Sequence, residues 1–249
     1  MKRAYLLLLC TMLSGRWSMS MAQVDLHILN HLAVGAEVGT MGWGVDVAMP
    51  VTPFVDVQAG FNMFPHVGFK TSIGMNQPLA GISEAKVKGK PLLKGGKLLV
   101  NVMPLPMLTS FHVTVGAYFG QQDIMGLYNV EPLPAEIAEY NTLHPDDPRG
   151  IALGNYLLTP DTEGNIDGRL KVNMAKPYVG IGIGRGVPKR RIGFKMDLGC
   201  VFWGKPTVFC NNEEVPKGSA DGDNGGVMKV ITKIKFYPVL NFRVCGKIF

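Results

Sequence analysis

The sequence predicts an all-β chain that closes into an eight-stranded antiparallel transmembrane barrel, with short helical pieces in its loops. Three observations predict it: apolar residues recur with a period of two, the opposite face is small and polar, and connections alternate between short and long. Val55, Val57, Ala59, Phe61 and Met63 alternate with Asp56, Gln58, Gly60 and Asn62, and Trp43, Val45, Val47 and Met49 with Gly44, Asp46 and Ala48. The same parity runs through Phe111 to Phe119, Val179 to Ile183 and Ile192 to Phe202. Successive side chains of a strand point to opposite sides of the sheet, so alternation this sustained is a strand signal.

A soluble sandwich also alternates, and the contents of the two faces separate the cases. A water-facing side is normally rich in Lys, Glu and Thr. Here the polar face is Gly, Asp, Asn, Gln and Tyr, and the apolar face is nearly free of charge. Small polar residues suit the narrow lumen of a small barrel, and an uninterrupted apolar face suits lipid. A spanning helix is the other alternative, because residues 100–122 carry no formal charge. Pro104 and Pro106 interrupt that run and its second half has period two, so it reads as strand, turn, strand.

Strands are expected near residues 31–39, 42–50, 54–64, 96–103, 110–120, 176–184, 191–203 and 237–248. The gaps Val51–Pro53, Pro104–Thr109 and Arg185–Arg190 are short, whereas 65–95, 121–175 and 204–236 are long. Short periplasmic turns and longer outer loops are the habit of outer-membrane barrels; the brief connection at Thr40 and Met41 is the exception. An even strand count returns both ends to the periplasm. Within the loops, Leu133 to Tyr140 is expected to make a helical turn and Val227 to Lys235 a short helix. Asp221, Asp223 and Asn224 resemble the start of a calcium loop, but Thr232 stands where the closing acid is required, so Ser219 to Gly226 reads as a hairpin loop. The same holds for Asp161, Glu163, Asn165 and Asp167.

Residues 1–22 read as a signal peptide and 23–249 as one barrel domain. Lys2 and Arg3 precede the apolar run Ala4 to Leu9, and Ser18, Ser20 and Ala22 supply small residues at a cleavage site. Removing that segment takes Lys2, Arg3 and Arg16 and no acid, which lowers the formal charge from +6 to +3. So mild a balance, with only Lys189, Arg190 and Arg191 clustered, excludes nucleic acid as a partner. Cys200, Cys210 and Cys245 have neither disulfide-framework nor zinc spacing, although Cys200 and Cys210 are able to pair across a bend.

The segments Pro177 to Arg185, Gly193 to Gly199 with Gly204 to Pro206, and Lys235 to Leu240, preceded by Gly35 to Pro53 and Gln58 to Phe64, occur in a characteristic order. In that order the chain resembles a family of small bacterial outer-membrane β-barrel proteins, of OmpA- or OmpW-like eight-stranded architecture. The resemblance implies residence in the outer membrane of a Gram-negative cell and carries no enzymatic residue to transfer. Members end with a terminal Phe in phase with the apolar face. Here Leu240, Phe242, Val244, Gly246 and Ile248 share that phase and Phe249 is one residue out, so either Ile248 takes the Phe position or a bulge shifts the register.

If the apolar parity faces lipid, Glu37, Asp46, Asp56 and Asp197 point inward with Lys195, Arg243 and Lys247. Isolated buried charges are costly, so these groups are expected to pair in a structural ion network that plugs the lumen. Ser110 and His112 share the inward face of one strand, yet no acid lies nearby in sequence to orient the base. The expected role is therefore structural or surface-interacting and not enzymatic, with no catalytic residue, cofactor or metal. A small-solute or hydrophobic-ligand carrier and a lipid-modifying enzyme are the alternatives. The expected partners of a monomer are outer-membrane lipid and lipopolysaccharide, and the barrel assembly machinery through the C-terminal strand.

Overall fold

A computed structural model describes residues 31–248 except 66, 80, 106–109, 217 and 219–234. The expected signal segment, the helix at 227–235, the loop at 219–226 and Phe249 therefore lie outside the described residues.

Eight strands close a barrel: β1 (Ala33–Gly39), β2 (Gly42–Thr52), β3 (Val55–Met63), β6 (Lys94–Val102), β7 (Phe111–Gly120), β12 (Ala175–Gly184), β13 (Ile192–Phe202) and β16 (Phe236–Lys247). Their order around the wall is β1-β16-β13-β12-β7-β6-β3-β2, and every neighbouring pair is antiparallel. Each expected strand is found within two or three residues of its expected ends. The outward parity is apolar and exposed along the wall, for example Val45, Phe61, Val115, Ile181, Leu198 and Phe242. Ile248 is exposed on the same parity, and its N–H donates to the Leu32 carbonyl at 2.8 Å. The turn at Thr40 is tied to the last strand: Tyr237 Oη donates to the Thr40 carbonyl at 2.9 Å, and Thr40 Oγ1 donates to the Pro238 carbonyl at 3.2 Å.

The described residues of the three long connections are largely strand. They build a second eight-stranded sheet from β4 (Phe69–Leu79), β5 (Ile82–Pro91), β8 (Asp123–Asn129), β9 (Ile151–Leu153), β10 (Tyr156–Leu158), β11 (Asp167–Lys171), β14 (Thr207–Cys210) and β15 (Glu213–Glu214). The order β10-β9-β4-β5-β8-β11-β14-β15 places β5, β8, β11 and β14 side by side. These four adjoin barrel strands β6, β7, β12 and β13 in the chain, and those four are neighbours in the barrel in the same order. One side of the wall thus continues past its rim as a distal sheet. Backbone bonds bridge the break, with Leu92 N–H donating to Ile124 O at 3.0 Å and Asn173 N–H to Trp203 O at 3.0 Å.

The distal sheet has its own core, including Val87, Leu127, Ile151, Leu158, Ile166, Leu170 and Val208. Helix α1 (Ala135–Leu143) buries Ile137 in it. The 161–167 segment is ordered: Asp161 Oδ1 accepts from the N–H groups of Glu163 and Asn165 at 3.0 and 2.8 Å, and Asp167 belongs to β11. An Asx turn of this kind satisfies backbone donors locally. Asp167 grips Arg169 at 2.6 Å, and that hydrogen bond raises the guanidinium further above its already high ordinary value.

All three described cysteines are free thiols, so Cys200 and Cys210 do not pair. Burial pushes the Cys210 thiol up to about 11 from an ordinary 9.0. The fold thus favours the neutral thiol. Stability from this group is complete below pH 9 and is lost as pH rises through about 11. The expected result is negligible maleimide labelling of Cys210 in the folded protein at pH 8 and rapid labelling in urea. Equal rates in both states would show that the thiol is accessible and ionised as in a free chain.

Candidate functional site

The barrel interior holds the densest chemistry in the molecule, and parity puts it there. Inward positions carry four buried carboxylates, Glu37, Asp46, Asp56 and Asp197, and five buried basic side chains, Lys97, His112, Lys176, Lys195 and Arg243. Arg243 is 1% exposed. Its Nε donates to both oxygens of Asp46 at 2.7 and 2.9 Å, and Nη2 lies 2.5 Å from Asp46 Oδ1. Lys97 pairs with Glu37 and lies 3.5 Å from Asp46 Oδ2. The amides of Asn62 and Asn241 each donate to Glu37 at 2.5 Å.

A second cluster lies closer to the short turns. Lys195 Nζ is 3.1 Å from Asp197 Oδ2 and donates to Asn101 Oδ1 at 3.0 Å and Gln58 Oε1 at 3.1 Å. Gln58 in turn donates to Asp46 Oδ2 at 2.9 Å, which joins the two clusters. Asn101 donates to Asp56 and accepts from Thr114 Oγ1 at 2.7 Å. His112 Nε2 lies 2.6 Å from Asp197 Oδ1, and Nδ1 lies 3.1 Å from the Gly184 carbonyl. Two acceptors facing two ring nitrogens are both satisfied by an imidazolium, which donates from each.

The bulk of these side chains is accommodated by glycine. A Cβ at Gly35 would overlap the Arg243 guanidinium, and one at Gly182 would overlap His112 and Asp197. At the short-turn end Gly186 folds inward, its N–H donating to Asp56 Oδ2 at 3.3 Å and its carbonyl accepting from Arg243 Nη1 at 2.8 Å. At the other end Met41, Leu99, Tyr118, Tyr178, Val201 and Val239 pack together, with Tyr118 and Tyr178 in edge contact at 5.6 Å. A void of about 20 Å³ beside Met41, Tyr118 and Lys176 has room for little more than one water.

Of the expected lumen residues, Lys247 stands apart. It occupies the last inward position of β16 opposite Ala33, is only half-buried, and makes no ion pair among the described residues. The barrel wall ends there, so a long ammonium stem reaches solvent instead of its neighbours. Lys97 takes the place expected for it. The parity that turns Leu98 outward and Asn101 inward turns Lys97 inward as well, so the signal lay in the sequence. The pairing of His112 with Asp197 carried no such signal, because the acid is 85 positions away.

Ser110 and His112 do not form a nucleophile–base pair. The Ser110 carbonyl, not its hydroxyl, faces the ring at 3.4 Å, and the ring is fully engaged. His144 stacks on Tyr140 at 4.3 Å. Among the described residues no group of three His, Cys, Asp or Glu side chains is arranged to hold a metal ion.

Two solved structures are similar to the chain. CarO2 of Acinetobacter baumannii aligns with TM-score 0.49 and 20% identity over 87% of this chain and 98% of its own. CarO of the same organism aligns with TM-score 0.46 and 19% identity over 86% and 96%. No protein-family model matches the chain, and no curated protein does.

Proposed function

We propose that the chain is an integral outer-membrane barrel, of the OmpA- or OmpW-like eight-stranded kind, that conducts no solute and serves as a rigid base for the distal sheet. The observation that carries this reading is the lumen: buried acids and bases interlock along it, Gly186 stops one end and an aromatic–aliphatic cluster stops the other. An eight-stranded barrel has just enough interior for side chains, and here they occupy it. The exposed apolar outer face of the wall suits a bilayer. What remains for partners is the distal sheet, which includes an open groove of about 430 Å³ beside α1 near Asn141, Thr142 and Thr159. The role is structural or surface-interacting, without catalysis. The protein acts as a monomer in lipid and lipopolysaccharide, delivered by the barrel assembly machinery through β16.

Planar-bilayer recording tests this. The reconstituted full chain is expected to stay electrically silent at potentials where open porins conduct. Stable unitary openings of the wild type, with a conductance that rises on truncation of Tyr118 or Tyr178, would replace this reading with the small-solute channel.

A further inference from the structure

The outward face of the distal sheet is not a neutral solvated surface. On β5, Ala85, Val87 and Gly89 point into the core while Lys86, Lys88 and Lys90 point out. Lys94 follows at the barrel rim, and β11 adds Arg169 and Lys171 on the same side. Register sets Lys70 directly opposite Lys88, and Lys90, Gly126 and Arg169 in one row. Like charges facing each other across a ladder destabilise a sheet, so that pairing has a cost the fold alone does not recover.

Two aromatic rings lie among these cations. Lys90 Nζ sits 5.6 Å from the Tyr128 ring and Lys171 Nζ 4.0 Å from the Phe209 ring. The acids nearby are Asp123, opposite Lys171, Asp167, held by Arg169, Glu131, 3.7 Å from Lys86, Glu214, opposite Phe209, and Glu84 toward the far end of β5. Lys88, Lys90, Lys94 and Lys171 make no ion pair among the described residues.

Position completes the case. In the consecutive strands β5–β6 and β11–β12 the outward parity of this face carries on into the exposed apolar face of the wall, whose rim includes Phe119. If the wall stands in the outer leaflet, as proposed above, the cluster meets the headgroup layer. We propose that Lys88, Lys90, Lys171 and Tyr128, with Lys94 at the rim, bind the phosphorylated sugar headgroup of an outer-leaflet glycolipid. The ammonium groups take phosphate and the rings stack on sugar.

The test uses the full chain in detergent, where binding is read apart from cellular location. Native mass spectrometry would compare lipid A, its enzymatically dephosphorylated form, phosphatidylethanolamine and inorganic phosphate. Wild type is expected to retain lipid A in preference to the other three. Each headgroup-facing charge contributes about fivefold, so K88Q/K90Q/K171Q should weaken retention by about a hundredfold. K189Q/R190Q/R191Q removes the same charge at the opposite end of the barrel and should retain lipid A as wild type does. Both variants are first shown to keep the folded, heat-modifiable gel mobility. Undiminished retention by the first variant, equal loss in the second, equal retention of dephosphorylated lipid, or binding of inorganic phosphate as tight as that of lipid A would each overturn the proposal. Fractionation that places the chain outside the outer membrane would overturn the preceding section while leaving this binding result standing.

Discussion

Replacing Arg243 with Met is expected to remove about 3–5 kcal/mol of stability, because one partner of a buried pair is deleted and the other stays. Methionine fills much of the volume, so the loss is electrostatic. Asp46 would retain only the Gln58 amide at 2.9 Å and Lys97 at 3.5 Å, and the Gly186 carbonyl would lose its donor. Heat-modifiability on gels and urea unfolding in micelles both read this, as a lower midpoint for the folded band. Arg243→Lys should recover only part, since an ammonium cannot make the two-pronged contact that Nε and Nη2 make now. Asp46→Asn combined with Arg243→Met should be less harmful than the single change, because the unpaired charge is gone. An unchanged midpoint for Arg243→Met would show that the network contributes nothing to stability.

The second large effect concerns the outside of the wall. Ile181 is 50% exposed at the middle of β12, flanked by Val113 and Leu198. An arginine at the midplane of a lipid-facing strand costs about 2–4 kcal/mol in a bilayer. Ile181→Arg should therefore fold into vesicles with a sharply lower urea midpoint. Ser83→Arg, at an exposed position near the tip of the β4–β5 hairpin, should stay within about 0.5 kcal/mol of wild type. Equal costs for the two would mean that the wall does not face lipid.

The barrel was legible because each of its strands is long enough to display the period several times. The distal sheet was not. Strands β9 and β10 have three residues each, too few to show any period. In β5 the alternation of Ala85, Val87 and Gly89 with three lysines is plain in retrospect, but Pro91 and the high charge mark it as loop chemistry by composition. What the letters lack is the neighbour: β5 becomes a strand because β8, from a different connection, lies beside it. The lumen divides in the same way. Parity alone says that Glu37, Asp46, Asp56, Asp197 and Lys195 point inward. Which of them touch depends on register, and so Asp197 finds His112 and Lys97 finds Glu37 across strands far apart in the chain.

Because neighbouring distal strands come from three separate connections, those connections are not independent display sites. Excising 123–171 would remove β8 and β11 together, leaving β5 paired only with β4 and β14 only with β15, with bare strand edges open to aggregation. Epitope or peptide grafts are therefore expected to fail within any strand of the distal sheet. They should survive at the hairpin tip around Gly81, where φ is +75° and the space around a side chain is empty.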